Sequence, residues 1–181
     1  MIVGHVGIAY WARTKSPAAS LPWLLAASIM PDLIDGVLSR MRVLNPCSVY
    51  SHSIPAVVVL ALLVSGCAYV VTGSWRGAAL VAALVVAHLP ADYVTGLKVL
   101  WPNGPVVGFY LYRWPVWDFV IEVPIVGMGW LMLRRSASAP RWAISGLSLG
   151  VLILVQGALD LRKIESGTKK ISLCEASAMS P

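Results

Sequence analysis

The sequence predicts an all-α, polytopic membrane protein, a compact bundle of about four to five transmembrane or membrane-embedded helices. Three observations carry this expectation. Of the 181 residues, 58% are hydrophobic and only 12% are charged, about half the charged share of an ordinary soluble domain. The mean hydropathy is +0.77. The apolar residues also come in runs. Ile54 to Thr72 and Trp142 to Leu159 carry no charge, Gly77 to Ala91 is interrupted only by His88, and Phe119 to Leu133 only by Glu122. Runs of about 20 apolar residues match the hydrocarbon thickness of a bilayer at about 1.5 Å rise per residue.

Each element follows in order. Ile2 to Trp11 forms a short apolar segment that ends in the basic turn Arg13-Thr14-Lys15-Ser16-Pro17. Ser20 is placed to cap a second helix, with Pro22 in its first turn, running to about Asp35. A loop with Arg40, Arg42 and Pro46 leads to Ser51-His52-Ser53. Spans are expected at 54–72, 76–95, 117–133 and 142–160. Gly96 to Trp114, rich in Pro, Gly and aromatics, reads as a re-entrant or interfacial loop, because Trp and Tyr favour the headgroup region. Residues 1–161 are thus expected to form one membrane-embedded domain, and 162–181 a polar, basic, disordered tail. No cleavable signal peptide is expected in Met1 to Ala12, which lacks a basic n-region. Cys47, Cys67 and Cys174 have no metal-binding or disulfide spacing.

The chemistry lies in the polar residues of this apolar chain. They group as Gly4-His5, Pro31-Asp32-Leu33-Ile34-Asp35, Ser51-His52-Ser53, His88-Leu89-Pro90-Ala91-Asp92, and Asp118 with Glu122. An ionisable group among aliphatic residues is costly and persists where it has a partner or a task. His88 and Asp92 are i and i+4, so a helix projects both from one side, about 5–6 Å apart. Asp32 and Asp35 share a face at i and i+3. Alternating helix directions bring His52, at the start of one span, to the same membrane face as His88 and Asp92, near the end of the next. His5, Asp32 and Asp35 reach that face by the same count, as do Asp118 and Glu122. Histidines with nearby carboxylates are the ligand set of a divalent ion such as Zn²⁺.

The ordered motifs Gly-His, Pro-Asp-Leu-x-Asp, Ser-His-Ser and Ala-His-x-x-x-Asp resemble those of the YdjM-like, LexA-regulated inner-membrane proteins, described as metal-dependent hydrolases. The resemblance spans roughly residues 1–135, and Ala87 stands where a Ser is usual. It implies an inner-membrane, multi-pass protein with metal ligands at His5, Asp32, His52, His88 and Asp92, and weaker matches at Asp35, Ser53 and Glu122.

The expected function is a membrane-bound metal-dependent hydrolase holding one or two Zn²⁺-like ions, with Asp35, Glu122 and Ser53 as candidate catalytic groups. Glu122 or Asp35 would serve as general base or ligand orienter, and Ser51 or Ser53 would fix the His52 tautomer or bind a substrate oxyanion. The substrate would be a phosphoester or lipid-like amphiphile reaching the site from the bilayer, and membrane lipids would be the partners. Two alternatives stand beside it: a small ion- or proton-coupled transporter, and a non-catalytic scaffold whose polar cluster ties helices together. The net charge of +6 reports contact with anionic lipid, and no nucleic-acid partner is expected. Basic residues fall on both sides of the membrane, which leaves the orientation open.

Overall fold

A computed structural model describes residues 2–16, 18–41, 50–101, 104–137 and 139–161. The tail expected at 162–181 and most of the loop with Arg42 and Pro46 lie outside the described residues. The element order is α1 (Val3–Lys15), α2 (Leu21–Arg40), a 3-10 turn (Tyr50–His52), α3 (Ile54–Thr72), α4 (Trp75–Thr95), strands β1 (Lys98–Val99) and β2 (Val106–Val107), a second 3-10 turn (Leu111–Arg113) and α5 (Pro115–Arg134). A shorter apolar helix, α6 (Gly146–Leu161), follows.

Four helices, α2 to α5, are long and apolar enough to cross a membrane. The 13 residues of α1 reach only about 20 Å, short of a hydrocarbon core of about 30 Å. Local chemistry sets the helix ends. Pro55 occupies the first turn of α3, where its missing N–H is no loss. Gly73 closes α3 in the left-handed region at φ 64°, donating its N–H to Tyr69. Ser74 then caps α4 by accepting from Gly77 N at 3.2 Å. This tight turn makes α3 and α4 antiparallel neighbours.

Two departures from the sequence expectation matter. Helix α2 continues past Asp35 to Arg40, with Pro31 inside it. A proline removes one ladder hydrogen bond without necessarily ending a helix, provided the freed carbonyls find other donors. The segment after α4 is not irregular throughout, because β1 and β2 form a short antiparallel hairpin pairing Lys98 with Val107 and Val99 with Val106.

The core joins α1, α2, α3 and α4 through Ala9, Leu24, Ala27, Val57, Val81 and Val85, among others. Helices α1 and α5 run parallel: Gly4 meets Glu122, and Gly7 meets Val126 and Gly129. A Cβ on Gly7 would lie 2.5 Å from Ile125 O and 2.6 Å from Val126 Cα, so the helices touch backbone to backbone, as small residues allow in membranes. The outer face of α3 exposes Val58, Val59, Leu62, Leu63 and Val70, the composition a lipid-facing surface requires.

The start of α3, the end of α4 and the start of α5 meet at one end of the bundle. The hairpin ties them there: Ile54 N donates to Leu100 O at 2.8 Å, and Phe109 N donates to Tyr93 O at 2.8 Å.

Candidate metal centre

The four side chains that converge are Asp32 from α2, His52 from the first 3-10 turn, and His88 and Asp92 from α4. One ligand atom from each lies within 4.8 Å of every other. His52, His88 and Asp92 are fully buried. Asp32 is the open edge, with 28% of its side chain accessible.

The orientation of each ring is set by a partner on its outer nitrogen. His88 Nδ1 donates to the backbone oxygen of Ser28, 2.8 Å away on α2. That carbonyl is next to Ala27 O, the α2 oxygen whose ladder donor Pro31 removes. His52 Nδ1 lies 2.9 Å from Asp35 Oδ2 and 3.0 Å from Ser51 Oγ, while Ser51 Oγ donates to Pro31 O at 3.1 Å. Both Nε2 atoms therefore face inward. A histidine ligand is commonly held this way, its outer N–H given to a carboxylate or carbonyl.

The inward atoms outline a small polyhedron. His52 Nε2 is 3.1 Å from His88 Nε2, 3.2 Å from Asp32 Oδ1 and 3.1 Å from Asp92 Oδ2. His88 Nε2 is 3.8 Å from Asp32 Oδ1 and 3.5 Å from Asp92 Oδ2. A tetrahedral ion with ligands at about 2.0–2.1 Å needs edges of about 3.3 Å. The second oxygen of Asp32 is buried without a hydrogen-bond partner among the described residues. Two carboxylates and two imidazoles so arranged can hold a metal ion.

Burial opposes a charge on His52, but its hydrogen bonds to Asp32, Asp35 and Asp92 outweigh that cost and push its pKa up to about 10. In the metal-free protein its Nε2 proton thus sits among the inward-facing acceptors.

Residues 1–163 match the family described as YdjM inner membrane protein. The chain belongs to this family. With four helices able to cross the bilayer, it is an inner-membrane, multi-pass protein. No curated protein and no solved structure matches the chain.

The remaining residues singled out in the sequence sit around the centre. His5 is outside the mutually close set of four. Its Nε2 is 3.2 Å from Asp92 Oδ1, and its ring stacks on His88 with centroids 3.9 Å apart. Asp92 therefore faces the cluster with one oxygen and His5 with the other. Among the described residues, Asp35 reaches the cluster through His52. Ser53, buried, holds the N-cap position of α3 without a side-chain hydrogen bond to that helix. Glu122 is fully buried on α5, and its Oε2 accepts from Gly4 N at 3.0 Å, one residue from His5. Asp118 belongs to a different polar group: Gln156 Nε2 donates to Asp118 Oδ2 at 3.3 Å and to Asp160 Oδ2 at 2.9 Å, joining α5 to α6.

Two contributors carried little sequence signal. Lys98 of β1 brings its Nζ to 2.8 Å from Asp92 Oδ2. The spacing of Lys98 after Asp92 on a Gly-broken segment was the only hint. Ser28 acts through its backbone oxygen, which no residue type announces.

Proposed function

We propose that the cluster of Asp32, His52, His88 and Asp92 binds a divalent ion, Zn²⁺ by ligand type and spacing. The protein is then a membrane-bound, metal-dependent hydrolase of phosphoester substrates. The observation that carries this reading is the facing pair of imidazole Nε2 atoms, each ring committed outward through Nδ1. Two neutral imidazoles so held point lone pairs at one another, an arrangement that needs a proton or a cation between them. The mixed nitrogen and oxygen donor set fits a borderline ion such as zinc.

Such an ion, when bound, acidifies a water molecule and polarises a phosphoryl oxygen. The protein's own groups supply position and proton handling. Asp35 and the Ser28 carbonyl lock the two rings, so no reorganisation is needed as charge develops. Asp32 lies on the accessible side and is the carboxylate nearest to incoming solvent or substrate, suited to accept a proton there. His5, hydrogen-bonded to the outer oxygen of Asp92, steadies that ligand from behind. The Glu122 carboxylate is committed to Gly4 N and supports the start of α1.

Metal analysis of the purified full chain tests the reading. Wild type is expected to retain zinc and to hydrolyse a phosphoester in a chelator-sensitive manner. A His52→Ala/His88→Ala double variant is expected to do neither. Equal metal content in the two proteins would end the proposal.

A further inference from the structure

We propose that the hairpin carrying Lys98 is the substrate-recognition element of this centre, and that it selects a phosphate carried on a hydrocarbon chain. The inference rests on the metal reading above and deepens it by assigning the substrate class and the residue that grips it.

Lys98 is placed for anion recognition at the cluster. Its ammonium lies 2.8 Å from Asp92 Oδ2, and only 12% of its side chain is accessible. The hairpin holds it there through several anchors. Lys98 pairs with Val107, Leu100 N donates to Pro105 O, and Leu100 O receives Ile54 N from the start of α3. Gly108 follows β2 at φ 138°, a conformation open to glycine, and its absent Cβ lets the chain pass against Gly96 and Tyr93.

Charge gives Lys98 a further role once an ion is bound. The ammonium and a divalent cation then share the neighbourhood of Asp92 Oδ2 and repel one another. An anion held there would relieve that repulsion, with one of its oxygens accepting from Lys98 Nζ. A phosphate group has oxygens to spare for this, and charge-assisted hydrogen bonds of this kind are strong.

The hairpin's outer surface specifies the rest of the ligand. Leu97, Trp101, Val106 and Phe109 are exposed on the segment that carries Lys98, Phe109 by 79%, and Val106, paired with Val99, lies on the hairpin face turned away from Lys98. They stand at the bundle end where the spans start and stop, the depth of lipid headgroups. A phosphate buried at Lys98 with an apolar rim outside it matches an amphiphile lying in the bilayer, its head at the cluster and its chain along the rim. A free phosphate would use the first part and leave the second without a partner.

The test uses the zinc-loaded full chain in phosphatidylcholine nanodiscs doped with a non-hydrolysable phosphonate analogue of phosphatidic acid, with retained lipid counted by native mass spectrometry and zinc measured in parallel. Wild type is expected to retain the phosphonate over phosphatidylcholine. Lys98→Met is expected to lower that preference by about 10- to 100-fold, the worth of one charge-assisted hydrogen bond, with zinc content unchanged. Lys98→Arg is expected to keep the preference, and Val106→Ser/Phe109→Ser to weaken lipid retention without weakening inorganic phosphate binding. Retention by Lys98→Met equal to wild type overturns the assignment of Lys98. Inorganic phosphate that displaces the lipid mole for mole, or a rim variant indistinguishable from wild type, overturns the hydrocarbon requirement. Absence of zinc from wild type instead removes the metal reading on which both parts stand, and is seen directly in the metal measurement.

Discussion

His52 Nε2 and His88 Nε2 stand 3.1 Å apart, although the two rings come from segments 36 residues apart and each has its own partner on α2, Asp35 for His52 and the Ser28 carbonyl for His88. The centre is therefore a meeting of independently anchored groups, and removing an anchor should loosen one ligand while leaving the others.

Asp35 is the cleanest such anchor. It contacts His52 Nδ1 at 2.9 Å and lies outside the four-ligand set. Asp35→Asn is expected to weaken zinc affinity by about 10- to 100-fold while the far-ultraviolet circular dichroism stays that of wild type. Competition with a chromophoric chelator measures the affinity. An unchanged value would make Asp35 a surface acid with no bearing on the site.

The pH dependence of metal binding follows from His52. Its pKa in the metal-free protein, about 10 against an ordinary 6.5, means that folding retains a proton. Its contribution to stability is complete below about 6.5 and disappears as the pH rises through about 10. The metal must displace this proton, so within that window affinity should rise by about tenfold per pH unit, with close to one proton released per ion bound. Calorimetry in two buffers of different ionisation enthalpy counts the protons. A pH-independent affinity across the window would remove His52 from the ligand set.

Much of this cluster was legible in the sequence, because three of its four side chains lie on long apolar helices and the fourth, His52, directly precedes one. The i, i+4 pair His88 and Asp92 and the alternation of long apolar runs bring His52 and Asp32 to the same face, but by the same count they also bring His5, Asp35, Asp118 and Glu122, which lie outside the set of four. What stayed hidden has no side-chain signature or breaks periodicity. Ser28 contributes a carbonyl, and Lys98 sits on a two-residue strand, too short for alternation to register, where its charge reads equally well as a topology marker. Glu122 and Asp118 share a face by helical spacing, yet one meets a backbone N–H of α1 and the other an amide of α6. Spacing gives the direction of a side chain, while its partner depends on which helix packs there.

Glu122 should separate a structural acid from a general base. Glu122→Gln preserves an acceptor for Gly4 N and is expected to keep wild-type zinc content and thermal stability. Glu122→Leu strands that buried N–H and is expected to cost about 1–3 kcal/mol, read as a lowered Tm in detergent. Loss of hydrolysis in Glu122→Gln at unchanged stability would instead make Glu122 a catalytic acid or base.

The contact of α1 with α5 makes a separate prediction. Because a Cβ on Gly7 would overlap Ile125 and Val126, Gly7→Ala forces the helices apart. It is expected to lower stability by about 1–3 kcal/mol and to shift His5 away from Asp92. Thermal unfolding with and without zinc checks both, since the variant should still be stabilised by the ion.

Chelation distinguishes a metal centre from a purely structural cluster. At a free zinc concentration about 100 times Kd, the ion should add about 2.7 kcal/mol to wild-type stability. It should add nothing to the His52→Ala/His88→Ala variant. A wild-type Tm indifferent to chelator favours the scaffold alternative.

The interruption of α2 by Pro31, beside two aspartates, has a consequence for how the protein is made. This helix is synthesised before His52 and before α4, so Asp32 and Asp35 reach the membrane with their histidine partners still absent. Translocon scales charge about 2.5–3.5 kcal/mol for an aspartate near the centre of a span. Helix α2, the least apolar of the four long segments, is thus expected to insert poorly alone and to be retained only once His52 and His88 arrive to meet its aspartates. The residues that equip the mature protein for chemistry make its second helix a late and dependent guest in the membrane.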